Sequence, residues 1–294
     1  MKVVGVTIAR NAVQLDLPVE AAVRSLLPLV DELVAVVGAS DDDTRPRIAA
    51  IDPGRVQLVD TVWDMDGRPG GAVLADQTQL GLAEAERRGA DWCFYLQADE
   101  VIASRDHEAI HAALRAANRR PAVEGVLFDY THFFGDFSTV ATSRNFYRRE
   151  VRIVRAGIDV RSFRDAQGFR VGPGFRKIRV IPSGARVYHY GWARSAESAA
   201  RKTAVLETIF GGQPVGERPF RFGRLPGLRR YTGEHPDAIR EWIAARPHHL
   251  PWEELPVRWT AQNARYVVSA LIERVTGWRP GEFRNYAVLR ARVP

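Results

Sequence analysis

Two adjacent carboxylates, Asp99 and Glu100, stand just after a short apolar run that extends from Trp92 to Leu96. A short, aromatic-rich run of this kind predicts a strand that is buried on both faces. Ligands of open parallel sheets collect just beyond the carboxyl ends of the strands, so the pair would meet an arriving substrate. Hard oxygen ligands at such a point suit Mg²⁺ or Mn²⁺ bridging to phosphate oxygens. The alternative is that these acids cap the next helix, since acidic first turns are common.

A basic run follows further along the chain, at Arg144, Arg148, Arg149 and Arg152. Arginine binds phosphate oxygens in a bidentate manner. Side chains of a strand point alternately to its two faces, so the four cannot all reach one ligand. We therefore predict at most two phosphate contacts in this run and assign the others to solvent.

The composition is that of an ordinary globular protein, with 294 residues, 46% of them hydrophobic and 26% charged. The net charge of +7 is carried almost entirely by arginine, since lysine occurs only at Lys2, Lys177 and Lys202. This charge favours anionic partners, but no motif of a nucleic-acid-binding module is present, so we predict no specific nucleic-acid binding. No apolar run approaches the ~18 residues of a membrane span. The N-terminal residues lack a signal-peptide pattern, which predicts a cytoplasmic location.

The elements that must position these residues alternate between strand and helix in the first part of the chain. Strands are predicted at residues 2–9, 32–37, 56–59 and 92–96, with helices at 17–29 and 72–88 and a second helix opening after the acidic loop 38–44. Such alternation predicts a mostly parallel central sheet with right-handed crossovers, that is, a Rossmann-like nucleotide-binding half in an α/β fold. This half covers residues 1–103.

The pattern changes after a predicted helix at residues 106–119. Strands at 125–130, 146–154 and 178–190 follow without regular helices between them, which predicts a mixed second half at 104–194. From residue 195 onward, helices are predicted at 195–210, 236–245 and 258–276, forming a helical C-terminal extension at 195–294. The tryptophans of this extension could offer aromatic platforms for a sugar ring, but such residues more often pack between helices: Trp242, Trp252, Trp259 and Trp278. Apolar positions in the last helix also make a homodimer through the C-terminal helices an option.

This organisation resembles the GT-A fold and, more specifically, the family-2 glycosyltransferases. Ile8-Ala9-Arg10-Asn11 is similar to the end of the family's opening strand, and Ser40, Asp42 and Thr44 fall within its acidic nucleotide-binding loop. Gln97-Ala98-Asp99 falls on its Asp-x-Asp metal motif, with Asp99 as the second aspartate. The chain departs from the family pattern at Val37 and Gly38, where two aspartates are usual, and at Gln97, a neutral residue.

The resemblance implies a metal-dependent glycosyltransferase that moves a sugar from a nucleotide-sugar donor to a hydroxyl of a saccharide or other acceptor, with inversion. It implies Mg²⁺ or Mn²⁺ as the cofactor, with Asp99 as the main metal ligand and His189 as a second ligand or diphosphate contact. Glu100 would accept a hydrogen bond from the sugar or support the metal ligands. Donor contacts are expected at nine positions: Ala9, Arg10, Asn11, Ser40, Asp42, Gln97, Ala98, Arg144 and Arg148.

The resemblance implies that the general base is a carboxylate of the second half, and Asp165 is the first choice. It lies in an Asp-x-x-Gly turn, where an aspartate more often only stabilises the turn. Glu150 and Asp136 are the reserve candidates.

Two other functions remain open at this stage. A nucleotidyltransferase acting on a sugar phosphate would also bind a nucleotide and Mg²⁺, but it would want a glycine-rich loop after the first strand, and residues 9–12 contain no glycine. A catalytically weak nucleotide-sugar-binding protein is the third option, supported only by the neutral Gln97 in the metal motif.

Overall fold

The protein is described here by a computed structural model, which covers residues 1–65, 69–211, 216–255 and 260–289. Its central feature is a long mixed sheet. The elements of the first half are β1 (Val3–Ala9), α1 (Val19–Leu26), β2 (Glu32–Gly38), α2 (Thr44–Ala49), β3 (Val56–Thr61), α3 (Ala72–Arg87), β4 (Trp92–Tyr95) and β5 (Glu100–Ile102).

The first half of the sheet is parallel, because β1 pairs in parallel with β2 and β4, and β2 pairs in parallel with β3. All seven residues of β1 are buried. Val3 and Ala9 belong to the hydrophobic cluster on one face of the sheet, whereas Val4, Val6 and Ile8 belong to the cluster on the other face. A strand covered on both faces is continuously apolar, as the sequence predicts. The predicted α/β fold class with a parallel, GT-A-like first half is confirmed.

The second half adds antiparallel pairs to the same sheet. Its elements are α4 (His107–Asn118), β6 (Gly125–Phe134), β7 (Thr139–Ala141), β8 (Arg149–Arg155), β9 (Val160–Phe163), β10 (Gly168–Val171) and β11 (Arg176–Trp192). β8 runs antiparallel between β4 and β6, while β6 and β11 are parallel to each other. The strands of both halves form one sheet, in the order β3-β2-β1-β4-β8-β6-β11-β10-β9. The expected mixture of strand directions is therefore present.

Strand β11 connects the two halves and is longer than the predicted segment at 178–190, since it spans 17 residues. It pairs with β6 on one side and with β5 on the other. In this register His189 lies opposite both Glu100 of β5 and His132 of β6. The strand thus carries a histidine from the second half to the carboxyl end of β4.

The C-terminal extension contains α5 (Ala196–Gly211), β12 (Leu228–Arg230), α6 (Arg240–Ala244), α7 (Ala261–Thr276) and β13 (Tyr286–Val288). Its helices lie where the sequence predicts them, although α6 has only five residues and follows a short 3-10 turn. The two strands are additions that the sequence did not predict: β12 pairs with β7, and β13 pairs with β11. Arg258, the predicted start of the last helix, and Trp259 lie outside the described residues.

Within the described residues, no helix combines the length and apolar character needed to cross a membrane.

Candidate functional site

A cavity of about 600 Å³ opens at the carboxyl ends of β1 and β4. Its walls come from both halves of the sheet and from α5 and α7 of the extension. Nine of the residues predicted for the site line it: Ala9, Arg10, Asn11, Gln97, Ala98, Asp99, Arg144, Asp165 and His189. Ser40, Asp42, Glu100 and Arg148 do not. The cavity has the size and the mixed polar and apolar lining of a small-molecule site.

Asp99 forms the polar centre of the cavity, just beyond β4. Its Oδ2 accepts a hydrogen bond from Nζ of Lys202 at 2.9 Å, and its Oδ1 lies 3.5 Å from Nε2 of His189. Burial raises the pKa of Asp99, but Lys202 and His189 together lower it by more, so this pKa lies well below its usual range. The carboxylate is therefore ionised throughout the physiological pH range.

Lys202 projects from α5 into the same cavity and is itself held in place. Its Nζ donates to the backbone oxygen of Gly191 at 3.0 Å as well as to Asp99. Burial lowers the pKa of Lys202, an effect that Asp99 opposes. An ammonium group in a cavity at strand ends is suited to a phosphate oxygen, since it acts as a compact point charge.

Hydrogen bonds define which nitrogen of His189 carries a proton. Nε2 of His132 lies 2.8 Å from the backbone oxygen of Tyr147, so this nitrogen is the donor. Burial, followed by the neighbouring His189, lowers the pKa of His132 to about 3, and the neutral ring then accepts through Nδ1. Nδ1 of His189, 2.9 Å away, must therefore be protonated. Nε2 of His189, 3.5 Å from Oδ1 of Asp99, is thus the ring nitrogen that can donate to this carboxylate or, without its proton, bind a metal ion.

These side chains suit a divalent cation that also binds a substrate. Gly191 lies next to them, and a Cβ atom there would be 2.7 Å from Nε2 of His189 and 2.8 Å from Oδ2 of Asp99. The absence of a side chain thus keeps space beside both ligands. Among the described residues no three His, Cys, Asp or Glu side chains converge on one point. A metal held by Asp99 and His189 would take its other ligands from phosphate and water, as Mg²⁺ commonly does.

The residues after β1 are joined to the loop after β2 by their polar side chains. Asn11 has a positive φ of 49°, and its Oδ1 accepts from the backbone of Asp41 at 2.9 Å. Ser40 Oγ in turn accepts from the backbone nitrogen of Asn11 at 3.0 Å. Asp42 accepts from the backbone nitrogens of Gln14 and Thr44. Ser40 and Asp42 therefore shape this edge of the cavity without lining it.

Gly38 is explained by its neighbour Trp63. A Cβ atom at position 38 would overlap Nε1 of Trp63, so any side chain would displace the indole. Trp63 lines the cavity, and its buried Nε1 has no hydrogen-bond partner among the described residues. An indole therefore occupies the region where an aspartate at position 38, usual in the resembled family, would have pointed.

Glu100 lies beneath the cavity floor and is fully buried. Arg152, expected either at a phosphate or in solvent, is instead fully buried and donates to both carboxylate oxygens of Glu100 at 2.8 Å. The hydroxyl of Tyr130 also donates to Glu100, at 2.9 Å. Glu100 also accepts from the backbone nitrogen of Gln97 at 3.1 Å. These contacts make Glu100 a positioning residue for the 97–99 turn. The predicted hydrogen bond to the sugar stays a prediction.

Of the arginines predicted to contact phosphate, Arg144 is exposed and lines the cavity. Arg148 instead forms ion pairs with Glu273 at 2.6 Å and with Glu282 at 2.7 Å, which attach the extension to the second half. Arg149 pairs with Asp129 at the surface. Arg10 lines the cavity from the end of β1.

The three candidates for a general base lie in different surroundings. Asp165 lines the cavity, and burial raises its pKa. Glu150 is fully buried and accepts from its neighbour Val151 and from Asn285, whereas Asp136 accepts from Ser138 and Leu250. Neither Glu150 nor Asp136 lines this cavity. Asp165 is thus the one of the three that shares a cavity with Asp99.

Sequence reasoning missed Lys202, His132 and Trp63. Lys202 carried a signal, because it is one of only three lysines in a chain whose basic residues are otherwise arginine. His132 and Trp63 carried none, since a single histidine or tryptophan in a strand or loop is usually a packing residue.

Comparisons with known proteins give similarity only at the level of structure. No family model matches the chain, and no curated protein matches it significantly. The chain is similar to S. aureus TarS in complex with UDP, with 15% identity, a TM-score of 0.36 and coverage of 49% of this chain and 39% of TarS. In a crystal structure of TarS residues 1–349 the similarity covers 72% of this chain and 71% of that one, with 12% identity and a TM-score of 0.40.

A further similarity is to glucosyl-3-phosphoglycerate synthase from Mycobacterium tuberculosis in complex with Mn²⁺, UDP and glucosyl-3-phosphoglycerate. Here the identity is 18%, the TM-score is 0.30, and the match covers 46% of this chain and 45% of the synthase. The matched region thus spans about two-fifths of the first TarS structure and less than half of the synthase. Scores at this level do not define an activity, which must be argued from the cavity itself.

Proposed function

We propose that the protein is a glycosyltransferase that moves a sugar from a nucleotide-sugar donor to an acceptor hydroxyl. The observation that carries this proposal is the cluster of Asp99, His189 and Lys202 in one cavity beyond the ends of β1 and β4. A buried anionic ligand, a histidine lone pair and an ammonium group together suit a diphosphate and its counter-cation. Ligands of α/β sheets bind at this edge.

The cavity offers a different environment for each part of such a donor. The diphosphate would contact Lys202, with Arg10 and Arg144 within the same lining. The nucleobase would lie against Trp63, whose indole lines the cavity and provides a stacking surface. Mg²⁺ or Mn²⁺, held by Asp99 and His189, would neutralise charge on the departing diphosphate when bound.

Asp165 is proposed as the general base. It would take the proton from the acceptor hydroxyl as the oxygen attacks the anomeric carbon, while the bond to the diphosphate breaks and its electron pair leaves with the diphosphate. Attack from the face opposite the leaving group inverts the configuration. A pKa raised by burial makes a carboxylate a stronger base, which supports this role.

Transfer assays with a panel of UDP- and GDP-sugars test the proposal. We expect turnover with at least one donor, and a loss of about 100-fold or more in Asp99→Asn, because the change removes the anionic ligand of the cluster. Asp129→Asn is the matched control, since Asp129 pairs with Arg149 at the surface. Unchanged turnover in Asp99→Asn would reject the role of the cluster. Release of pyrophosphate from a nucleoside triphosphate and a sugar phosphate would instead identify a nucleotidyltransferase.

A further inference from the structure

Helix α7 presents its apolar side chains outward. Ala264, Val268, Leu271 and Val275 recur at the spacing of one helix face. The exposed fractions of Val268, Leu271 and Val275 are 54%, 58% and 85%. Trp278, just after the helix, is 59% exposed. We call these five residues the α7 stripe. A surface helix normally buries such a face, so this one is available to a partner.

Polar contacts hold the opposite face of α7 to the protein. The buried residues of the helix are Asn263 and Ser269. Glu273 binds Arg148 at 2.6 Å and Arg279 at 2.7 Å. The orientation of α7 is therefore fixed by ion pairs on its inner side, and its outward apolar face is a property of the folded chain.

The charges beside the α7 stripe are positive. Arg265 and Arg274 are exposed on either side of it, while the only carboxylate of the helix, Glu273, is engaged on the inner face. Two copies packed through the stripe would bring these arginines together without a carboxylate from either helix. Stable protein interfaces also need ~20–30 residues from each partner, far more than five. An apolar face between arginines, followed by a tryptophan, has the features of a helix that lies on an anionic membrane.

The α7 stripe is connected to the cavity through the same helix. Tyr266 on α7 lines the cavity, as does Phe283 in the segment that follows. Four further apolar residues of the lining lie on α5: Val205, Leu206, Ile209 and Phe210. Phe210 and Phe283 remain 42% and 41% exposed. Such walls suit an acceptor that has an apolar part beside its hydroxyl group.

We propose that α7 docks on an anionic lipid surface through this stripe, and that the acceptor is an amphipathic molecule presented by that surface. The choice of acceptor rests on the proposed glycosyl transfer, whereas docking itself does not. Membrane binding of this kind needs no spanning helix, because the helix lies in the interface with its apolar face inserted.

Co-sedimentation with vesicles tests the docking. We expect the protein to sediment with vesicles of phosphatidylcholine containing about 30% phosphatidylglycerol at about 50 mM salt, and to remain in solution with phosphatidylcholine alone. Leu271→Glu should weaken binding about tenfold or more, because it places a charge within the inserted face. Leu80→Glu, on α3 and 48% exposed, is the matched control and should bind like wild type.

A second pair of variants tests the arginines. Arg265→Gln with Arg274→Gln should weaken binding about tenfold. The exposed pair Arg24→Gln with Arg119→Gln removes the same charge elsewhere and should have little effect. Equal binding by Leu271→Glu and wild type would overturn the proposal, as would no binding by wild type. A wild-type dimer that Leu271→Glu dissociates would instead assign the stripe to a second copy of the chain. UDP binding needs no vesicles, so a failure here is distinguishable from a failure of the proposed function.

Discussion

At the scale of single residues, the cluster around Asp99 depends on a lysine that supplies its cationic part. Lys202 is partly buried, pairs with Asp99 and lines the cavity. A phosphate oxygen of a ligand could take the place of Asp99 as the partner of this ammonium group, with little change in the burial of the lysine. The structure therefore makes Lys202, which sequence analysis did not select, a donor-binding residue in our proposal.

Replacement of this lysine should weaken the donor complex. We predict that Lys202→Met lowers the affinity for UDP in EDTA by about tenfold or more, the value of one charge-assisted hydrogen bond. Isothermal titration calorimetry measures this directly. Lys177→Met, at an exposed position, provides the control. An affinity equal to that of wild type would assign Lys202 a structural role only.

The general base makes a separate prediction. Asp165→Asn should lower turnover by roughly 10²- to 10⁴-fold while donor affinity stays near that of wild type, because the carboxylate acts on the acceptor. Turnover and donor binding are measured on the same preparation. If donor affinity falls as much as turnover, Asp165 contacts the donor instead. Little change in either would leave it as an ordinary turn residue, since asparagine preserves most turn hydrogen bonds.

Residue types alone identified only part of this cavity. Asp99 could be selected from the sequence because it follows a buried strand, and Asp165 because it is a carboxylate in a turn of the second half. The histidine tautomer could not, because it depends on the pairing of β6 with β11 and on the backbone oxygen of Tyr147. Glu100 was selected for the same reason as Asp99, yet it points into the core toward Arg152.

At the scale of elements, β11 determines the geometry of the cluster because it carries both His189 and Gly191. Gly191→Ala would place a Cβ atom 2.7 Å from Nε2 of His189 and 2.8 Å from Oδ2 of Asp99. We predict a loss of turnover of about tenfold or more with little loss of thermal stability, because the conflict is with side-chain atoms that can move away. Gly174→Ala is the control, since nothing lies within 4 Å of its Cβ position. Equal activity of both variants would show that the cluster tolerates the shift.

The parallel strands and the helices of the first half were predictable because each carries a strong local pattern of its own. The short strands β12 and β13 were not, since three residues contain too little pattern and their pairing with β7 and β11 is set by tertiary packing. The same holds for the outward apolar face of α7. Its spacing indicates an amphipathic helix, but which face turns inward depends on the ion pairs of Glu273.

At the scale of the whole molecule, one buried carboxyl group should make stability depend on pH. Burial raises the pKa of Glu150 from its usual 4.5 to about 7. Because the folded-state pKa is raised, the favourable contribution is present below the unfolded value and is lost as the pH rises through about 7. This contribution of Glu150 to the free energy of unfolding is about 3 kcal/mol, because a difference of one pKa unit corresponds to about 1.4 kcal/mol.

Glu150→Gln should remove this dependence. We predict that the free energy of unfolding of the variant gains roughly 2 kcal/mol relative to wild type between about pH 5 and about pH 8.5. Urea unfolding at the two pH values measures the difference. Glu108→Gln, at an exposed ion pair with Arg115, serves as the control. A constant difference across this range would show that Glu150 titrates normally in the folded protein.

The membrane-docking proposal bears on where in the cell the whole molecule would work. The predicted cytoplasmic location remains a prediction, as do the homodimer and the division at residue 194. Docking through the α7 stripe is compatible with a cytoplasmic enzyme that works at a membrane surface, since α7 carries both the stripe and Tyr266 of the cavity lining.

The central claim is that Asp99, His189 and Lys202 bind a nucleoside diphosphate. Calorimetric titration of UDP and GDP into the wild-type protein, in Mn²⁺ and then in EDTA, tests it most directly. We predict binding of at least one nucleotide that is tighter in Mn²⁺, and we predict that His189→Ala weakens it only in Mn²⁺. No binding of either nucleotide under both conditions would contradict the account.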